Sequence, residues 1–125
     1  NSTADWKFVV GHRPLFSAGT KHGSSPYMQK QLLPLLTKHK VAAYLSGDDH
    51  DLQVLEKDGV QFMVSGGGAR AKKDLKKHGV KQTIFQAGVH GFMHLLLNTS
   101  HAELGVYNSH AERIFASAFA RPAEE

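Results

Sequence analysis

Two short segments of this chain carry side chains able to hold metal ions or move protons. His12 follows Val9-Val10-Gly11, and Asp48 and His50 lie within Ser46-Gly47-Asp48-Asp49-His50. Imidazole nitrogens and carboxylate oxygens together suit Zn, Fe or Mn. There is no cysteine among the 125 residues, which removes disulfides, thiolate metal sites and cysteine nucleophiles at once. Nine histidines, in contrast, are many for this length, and they can titrate near neutrality. Singly, a histidine at a strand end is most often a hydrogen-bonded surface residue, and Asp48-Asp49 can simply build a turn. Jointly, at the ends of two strands of one unit, the three residues point to a metal. On an extended segment Asp48 and His50 share a face, and Asp49 points away.

The elements that must position them are legible from periodicity. Residues 6–10 form a short apolar run stopped by Gly11-His12-Arg13-Pro14, the pattern of a buried strand ending in a loop. Residues 15–25 read as an irregular loop containing Gly19, His22 and Gly23. Ser25-Pro26 then offers an N-cap and a first-turn proline, and Met28, Leu32, Leu35 and Leu36 recur at helical spacing. Pro34 predicts a kink or an early break. Residues 41–45 are a second buried strand, so strand, loop, helix and strand make one right-handed βαβ unit. In open α/β sheets, ligands bind just beyond the carboxyl ends of such strands, where His12, Asp48 and His50 lie.

From residue 52 the period changes to two. Residues 52–56 and 60–65 flank Lys57-Asp58-Gly59, a hairpin-turn signal, and further alternating stretches lie near 80–86, 91–97, 102–107 and 112–119. The chain is therefore read as a βαβ unit followed by an antiparallel meander. Its length suits one domain at most, and 41% hydrophobic residues suffice for a core. No apolar run is long enough for a membrane-spanning helix. The net charge of +4 is mild. The chain opens on Asn1 and enters a buried strand almost at once, and it is read as the C-terminal part of something larger.

At this point the residues resemble a known family. Val9-Val10-Gly11-His12-Arg13-Pro14 is similar to the V-x-x-H block of the calcineurin-like metallophosphoesterases, and Ser46-Gly47-Asp48-Asp49-His50 to their G-H-x-H block. Their surroundings resemble the purple acid phosphatases, especially the tartrate-resistant type. The shared blocks are His22-Gly23, Lys30-Gln31-Leu32-Leu33-Pro34-Leu35-Leu36, Val41-Ala42-Ala43-Tyr44-Leu45, Leu52-Gln53-Val54-Leu55, Val64-Ser65-Gly66-Gly67-Gly68 and Gly91-Phe92. This ordered set covers nearly the whole chain.

The resemblance implies an α/β fold: the C-terminal half of a metallophosphoesterase β-sandwich of two mixed sheets, flanked by helices. Residues 1–125 would be the C-terminal part of a single domain whose N-terminal part lies outside this chain. It also implies two metal ions, Fe with Zn, Mn or Fe, that clamp a phosphomonoester and generate the attacking hydroxide. His50 matches a ligand of the first metal. His12 and Asp48 match ligand positions of the second. His22 matches the histidine that contacts phosphate and protonates the leaving group; its other reading is a polar loop residue.

Two departures stand out. Asp48 occupies a position where the family has histidine, making the site harder and more anionic. The D-x-G, G-D-x-x-Y and G-N-H blocks are absent from these residues, so the N-terminal portion must supply the remaining ligands. The leading expectation is acid phosphatase activity toward a phosphorylated small molecule or phosphoprotein in the full-length protein, with none in this segment alone. The alternative is a catalytically degenerate phosphatase fold acting as a scaffold or subunit of a larger complex. Gly66-Gly67-Gly68 reads as a flexible turn at the site rim. The basic run from Arg70 to Lys81 reads as a solvated loop, and no nucleic-acid partner is expected because aromatic platforms are lacking beside it. Asn1-Ser2-Thr3 and Asn98-Thr99-Ser100 match N-linked glycosylation signatures and suggest a secretory, lysosomal or extracellular glycoprotein.

Overall fold

A computed structural model describes residues 2–123. The first apolar run forms β1 (Phe8–Val10), and Ser25 caps the helix α1 (Pro26–Lys38) by accepting from the backbone N–H of Met28. The helix does not break at Pro34. The lost hydrogen bond falls on an exposed stretch, and the Thr37 hydroxyl donates to the Leu33 and Pro34 carbonyls one turn back. Leu36 is buried, with Met28, Leu32 and Leu33 packed beside it. Leu35, expected on the apolar stripe, is half exposed; Leu33 takes its place.

The remaining strands are β2 (Ala43–Ser46), β3 (Leu52–Lys57), β4 (Val60–Ser65), β5 (Thr83–Ala87), β6 (Gly91–Leu97), β7 (His101–Asn108) and β8 (Arg113–Ala120). They form two sheets. A five-stranded mixed sheet runs β1-β2-β4-β3-β5, with β1, β2 and β4 parallel and β3 antiparallel to both its neighbours. The second sheet, β6-β7-β8, is antiparallel throughout within this chain. The expected run of antiparallel strands is thus divided between two layers, and β4 folds back to lie between β2 and β3. The β3–β4 turn holds both Asp58 and Gly59 at positive φ, the conformation that matches strand twist in a two-residue hairpin.

Burial on both faces of the larger sheet follows from strand alternation. Tyr44, Phe62 and Val64 point toward α1 and pack with Leu15, Phe16 and Leu36. Ala43, Val54 and Met63 point the other way and meet Leu104 and Val106 of the second sheet. This three-layer packing holds the carboxyl ends of β1 and β2 side by side. No helix among the described residues is long and apolar enough to cross a membrane.

Candidate metal-edge and phosphate site

The site begins where β1 and β2 run out. Gly11 donates to the Leu45 carbonyl at 3.0 Å and Gly47 to the His12 carbonyl at 3.1 Å, so strand pairing continues into both loops. This brings His12 Nε2 to 3.2 Å from Asp48 Oδ1, although the two residues are far apart in sequence. The Tyr44 hydroxyl, its pKa raised by burial, donates to the Arg13 carbonyl at 2.7 Å and fixes the loop just after His12.

The segment from Gly47 to Asp51 is not extended, which corrects the expected geometry. Asp48 adopts positive φ, Asp49 N–H donates back to Gly47 at 2.8 Å, and Asp51 N–H donates back to Asp49 at 2.9 Å. Asp48 and His50 nonetheless line one cleft of about 140 Å³ because the turn curls around it. Asp49, expected to point away from the face shared by Asp48 and His50, is almost fully buried but lines the same cleft as both. The same cleft is lined by His22, Lys21, Lys72 and Asp74. His12 sits outside it, mostly exposed, and touches it through Asp48.

A buried network that periodicity did not reveal supports these loops. The Ser17 hydroxyl donates to the Asp49 carboxylate in a very short hydrogen bond, and accepts from Gly19 N–H at 3.0 Å and from Gln53 Nε2 at 3.0 Å. Gln53 also donates to Asp51 at 2.9 Å and accepts from Ala18 N–H at 2.8 Å. Ser17 and Gln53 are completely buried, so these bonds are made away from water and tie the His22 loop to the His50 loop. The available signal was Gln53 itself, a polar side chain set among Leu52, Val54 and Leu55 in the apolar first part of β3.

One expectation about the rim is corrected and another is extended. Gly66 is not a flexible turn residue. Its N–H donates to the Asp51 carbonyl at 3.0 Å, and a β-carbon there would lie 1.9 Å from the Asp49 carbonyl oxygen. Only glycine admits so close a backbone approach. The lysine-rich loop exposes its side chains as expected, but its backbone is stitched to the site. Lys72 N–H donates to the His50 carbonyl, Lys76 N–H to Ala18, and Thr20 N–H to Asp74, each at 2.8 Å.

The electrostatics favour a cation. Asp48, Asp49, Asp51 and Asp74 face Lys21 and Lys72 in one small cleft, leaving an excess of carboxylates when the imidazoles are neutral. Burial, chiefly, pushes the Asp51 carboxyl up to about 6; its Gln53 hydrogen bond opposes this, and Asp49 and Asp74 add to it. A phosphate dianion alone would be repelled here. With ligand distances of about 2.0–2.2 Å, two donors on one ion stand about 3–3.4 Å apart, which the His12–Asp48 separation matches. The donor chemistry therefore fits one edge of a metal site. Among the described residues no three His, Asp or Glu side chains converge into a complete cage.

No family model matches the chain. It is 38% identical over 109 residues to purple acid phosphatase 7 of Arabidopsis thaliana, covering 86% of this chain and 33% of that protein. It is 48% identical over 77 residues to tartrate-resistant acid phosphatase type 5 of Sus scrofa, covering 58% of this chain and 22% of that protein. The chain thus spans a third or less of the length of these curated relatives. Among solved structures, GAP50, described as the anchor in the inner membrane complex of Plasmodium, superposes with a TM-score of 0.91 at 24% identity, over 98% of this chain and 38% of that one. That likeness shows the fold.

Proposed function

From the premise that this chain is homologous to the C-terminal part of the purple acid phosphatases, we propose that it supplies one side of a two-metal centre for hydrolysis of phosphomonoesters. The observation that carries this reading is the His12–Asp48 pair, 3.2 Å apart across two parallel strand ends, beside a cleft that also holds His22 and His50. His12 and Asp48 would hold one metal and His50 the other, with the remaining ligands and the rest of the substrate pocket coming from the N-terminal portion of the domain. Bound cations supply charge neutralisation of the phosphate and a nucleophile at accessible pH.

This chain's own residues do the rest. The excess of carboxylates draws cations into the cleft, and the exposed lysines at its rim draw anionic substrate to them. His22, exposed at the cleft wall, would give a proton to the departing alkoxide. The substrate class is a phosphorylated small molecule or phosphoprotein, in a secreted or lysosomal setting. The metals are Fe with Zn, Mn or Fe.

Asp48 favours a second reading, in which the fold has become a scaffold within a larger complex, in the manner of the inner-membrane-complex anchor whose fold it shares. Metal analysis and phosphatase assay of the intact protein separate the two. Under the enzyme reading, wild type carries two metals, Asp48→Ala loses one, and Asp48→His shifts preference toward Zn and raises activity. Fewer than about one metal per chain in all three proteins would exclude the two-metal mechanism.

A further inference from the structure

Beside the carboxylate-rich cleft of His22 and His50 lies a second pocket, of about 420 Å³, whose lining is basic. Its polar wall is Lys73, His90, Asn108, Ser109 and His110, and no acidic residue lines it. The two cavities share one stretch of backbone, because Lys72 lines the first and its neighbour Lys73 the second. That stretch is held from both sides. Lys72 N–H donates to the His50 carbonyl at 2.8 Å, and a β-carbon at Gly88 would lie 2.4 Å from the Lys72 carbonyl oxygen. Gly91 N–H, at the other end of the β5–β6 loop, donates to the Gly67 carbonyl at 3.2 Å. Asn108 holds the opposite wall: its Oδ1 accepts from His110 N–H at 2.9 Å and Glu112 N–H at 3.0 Å, and its Nδ2 donates to the Glu112 carboxylate at 3.2 Å. The side chains of Lys73, His90 and His110 are exposed and make no hydrogen bond or ion pair among the described residues.

We propose that this pocket is an anion subsite, which takes a second phosphoryl group of the substrate while the scissile one lies in the neighbouring cleft. The inference rests on the phosphomonoesterase reading for the first group and on the pocket's own chemistry for the second. An ammonium, two imidazoles and a hydroxyl all offer donors, and a phosphoryl dianion accepts charge-assisted hydrogen bonds from such groups. With no carboxylate in the wall, the pocket needs no cation to make an anion welcome, unlike the cleft beside it. The shared backbone sets the substrate class. Two groups in these cavities must straddle the Lys72–Lys73 peptide. The phosphorus atoms of a pyrophosphate, joined through one oxygen, are too close to do so. The substrate is therefore a phosphomonoester with its second phosphoryl group several bonds away, as in an alkanediol bisphosphate or a doubly phosphorylated peptide. Capture of one group makes binding of the other intramolecular, so the subsite lowers KM and leaves the chemical step alone.

The test uses the intact protein and a probe that is not hydrolysed, hexane-1,6-bisphosphonate, titrated calorimetrically. Lys73→Gln and His110→Gln should each weaken its binding, and the double variant should weaken it about tenfold or more. Lys73→Arg should retain it. Lys77→Gln, an exposed lysine of the same loop outside the pocket, should not change it, which separates the subsite from the general field of the loop. Two rate comparisons name the source of the ligand: hexane-1,6-diol bisphosphate against hexyl phosphate, and a peptide with two phosphoserines against its singly phosphorylated form. In at least one pair the doubly charged member should have the lower KM at equal kcat, and the double variant should remove that advantage. Bisphosphonate binding unaltered in the double variant, or altered equally by Lys77→Gln, overturns the proposal. Hydrolysis of an aryl phosphate reports separately on the enzyme reading. Its absence, with bisphosphonate binding still sensitive to Lys73 and His110, overturns that reading and leaves the pocket standing.

Discussion

Replacing Gly66 by alanine tests whether backbone packing, and not side chains alone, sets the site. A β-carbon at Gly66 would stand 1.9 Å from the Asp49 carbonyl oxygen and 2.9 Å from its carbonyl carbon. Ordinary contact begins at 3.4 Å, so the Asp49 peptide must retreat by roughly 1.5 Å. Asp49 sits between Asp48 and His50, and its carboxylate is clamped by Ser17, so the retreat displaces both neighbours and strains the buried network. Overpacking of this kind costs about 1–3 kcal/mol, and a 1 Å misplacement of reacting groups costs about 10²-fold in rate. In the intact protein, Gly66→Ala should lower kcat/KM for an aryl phosphate about 10²-fold and lower Tm by several degrees. Gly68→Ala is the control, because nothing lies within 4 Å of a β-carbon there, and it should leave both unchanged. A Gly66→Ala protein with wild-type activity, metal content and Tm would refute the claim that this approach positions the site.

His22→Ala should lower kcat by about 10²–10⁴-fold with metal content unchanged, and by less for substrates with good leaving groups; equal losses across leaving groups would assign His22 to binding instead. Asp51 should make stability depend on pH: its folded carboxyl titrates at about 6, above the ordinary value of 3.8, so its contribution is fully present below about pH 4 and lost as pH rises through 6. Urea unfolding in the presence of a chelator should show this fall in wild type and not in Asp51→Asn, which keeps the acceptor for Gln53; parallel pH profiles would contradict it. Tyr44→Phe removes the bond to the Arg13 carbonyl and should cost about 0.5–1.5 kcal/mol in chemical denaturation, with unchanged stability as the contrary result.

Local pattern was enough for the elements that local forces decide. The apolar run ending at Val10, the Ser25-Pro26 helix start, the Asp58-Gly59 turn and the alternating stretches beyond residue 80 all became elements of the expected type, with ends shifted by a few residues. However, β1 is an edge strand and not a buried one: Phe8 and Val9 are partly buried and Val10 is exposed. The placement of His12 and Asp48 at adjacent strand ends was legible too, because a right-handed βαβ unit leaves little freedom in how its strands pair. What periodicity could not reveal depends on partners distant in sequence. Nothing near Gly66 indicates that its backbone must pass against Asp49. Nothing near Ser17 names Asp49 or Gln53 as partners more than thirty residues away. The lysine-rich loop looks like solvent-facing chain by composition, since its side chains do face solvent; only its backbone bonds to Ala18, Thr20 and His50 make it a wall of the cleft. A hydrophobic period reports which face of an element is buried, and it is silent on which buried polar groups then satisfy one another. That choice is made when the layers pack, because each polar group carried inward must find a partner there.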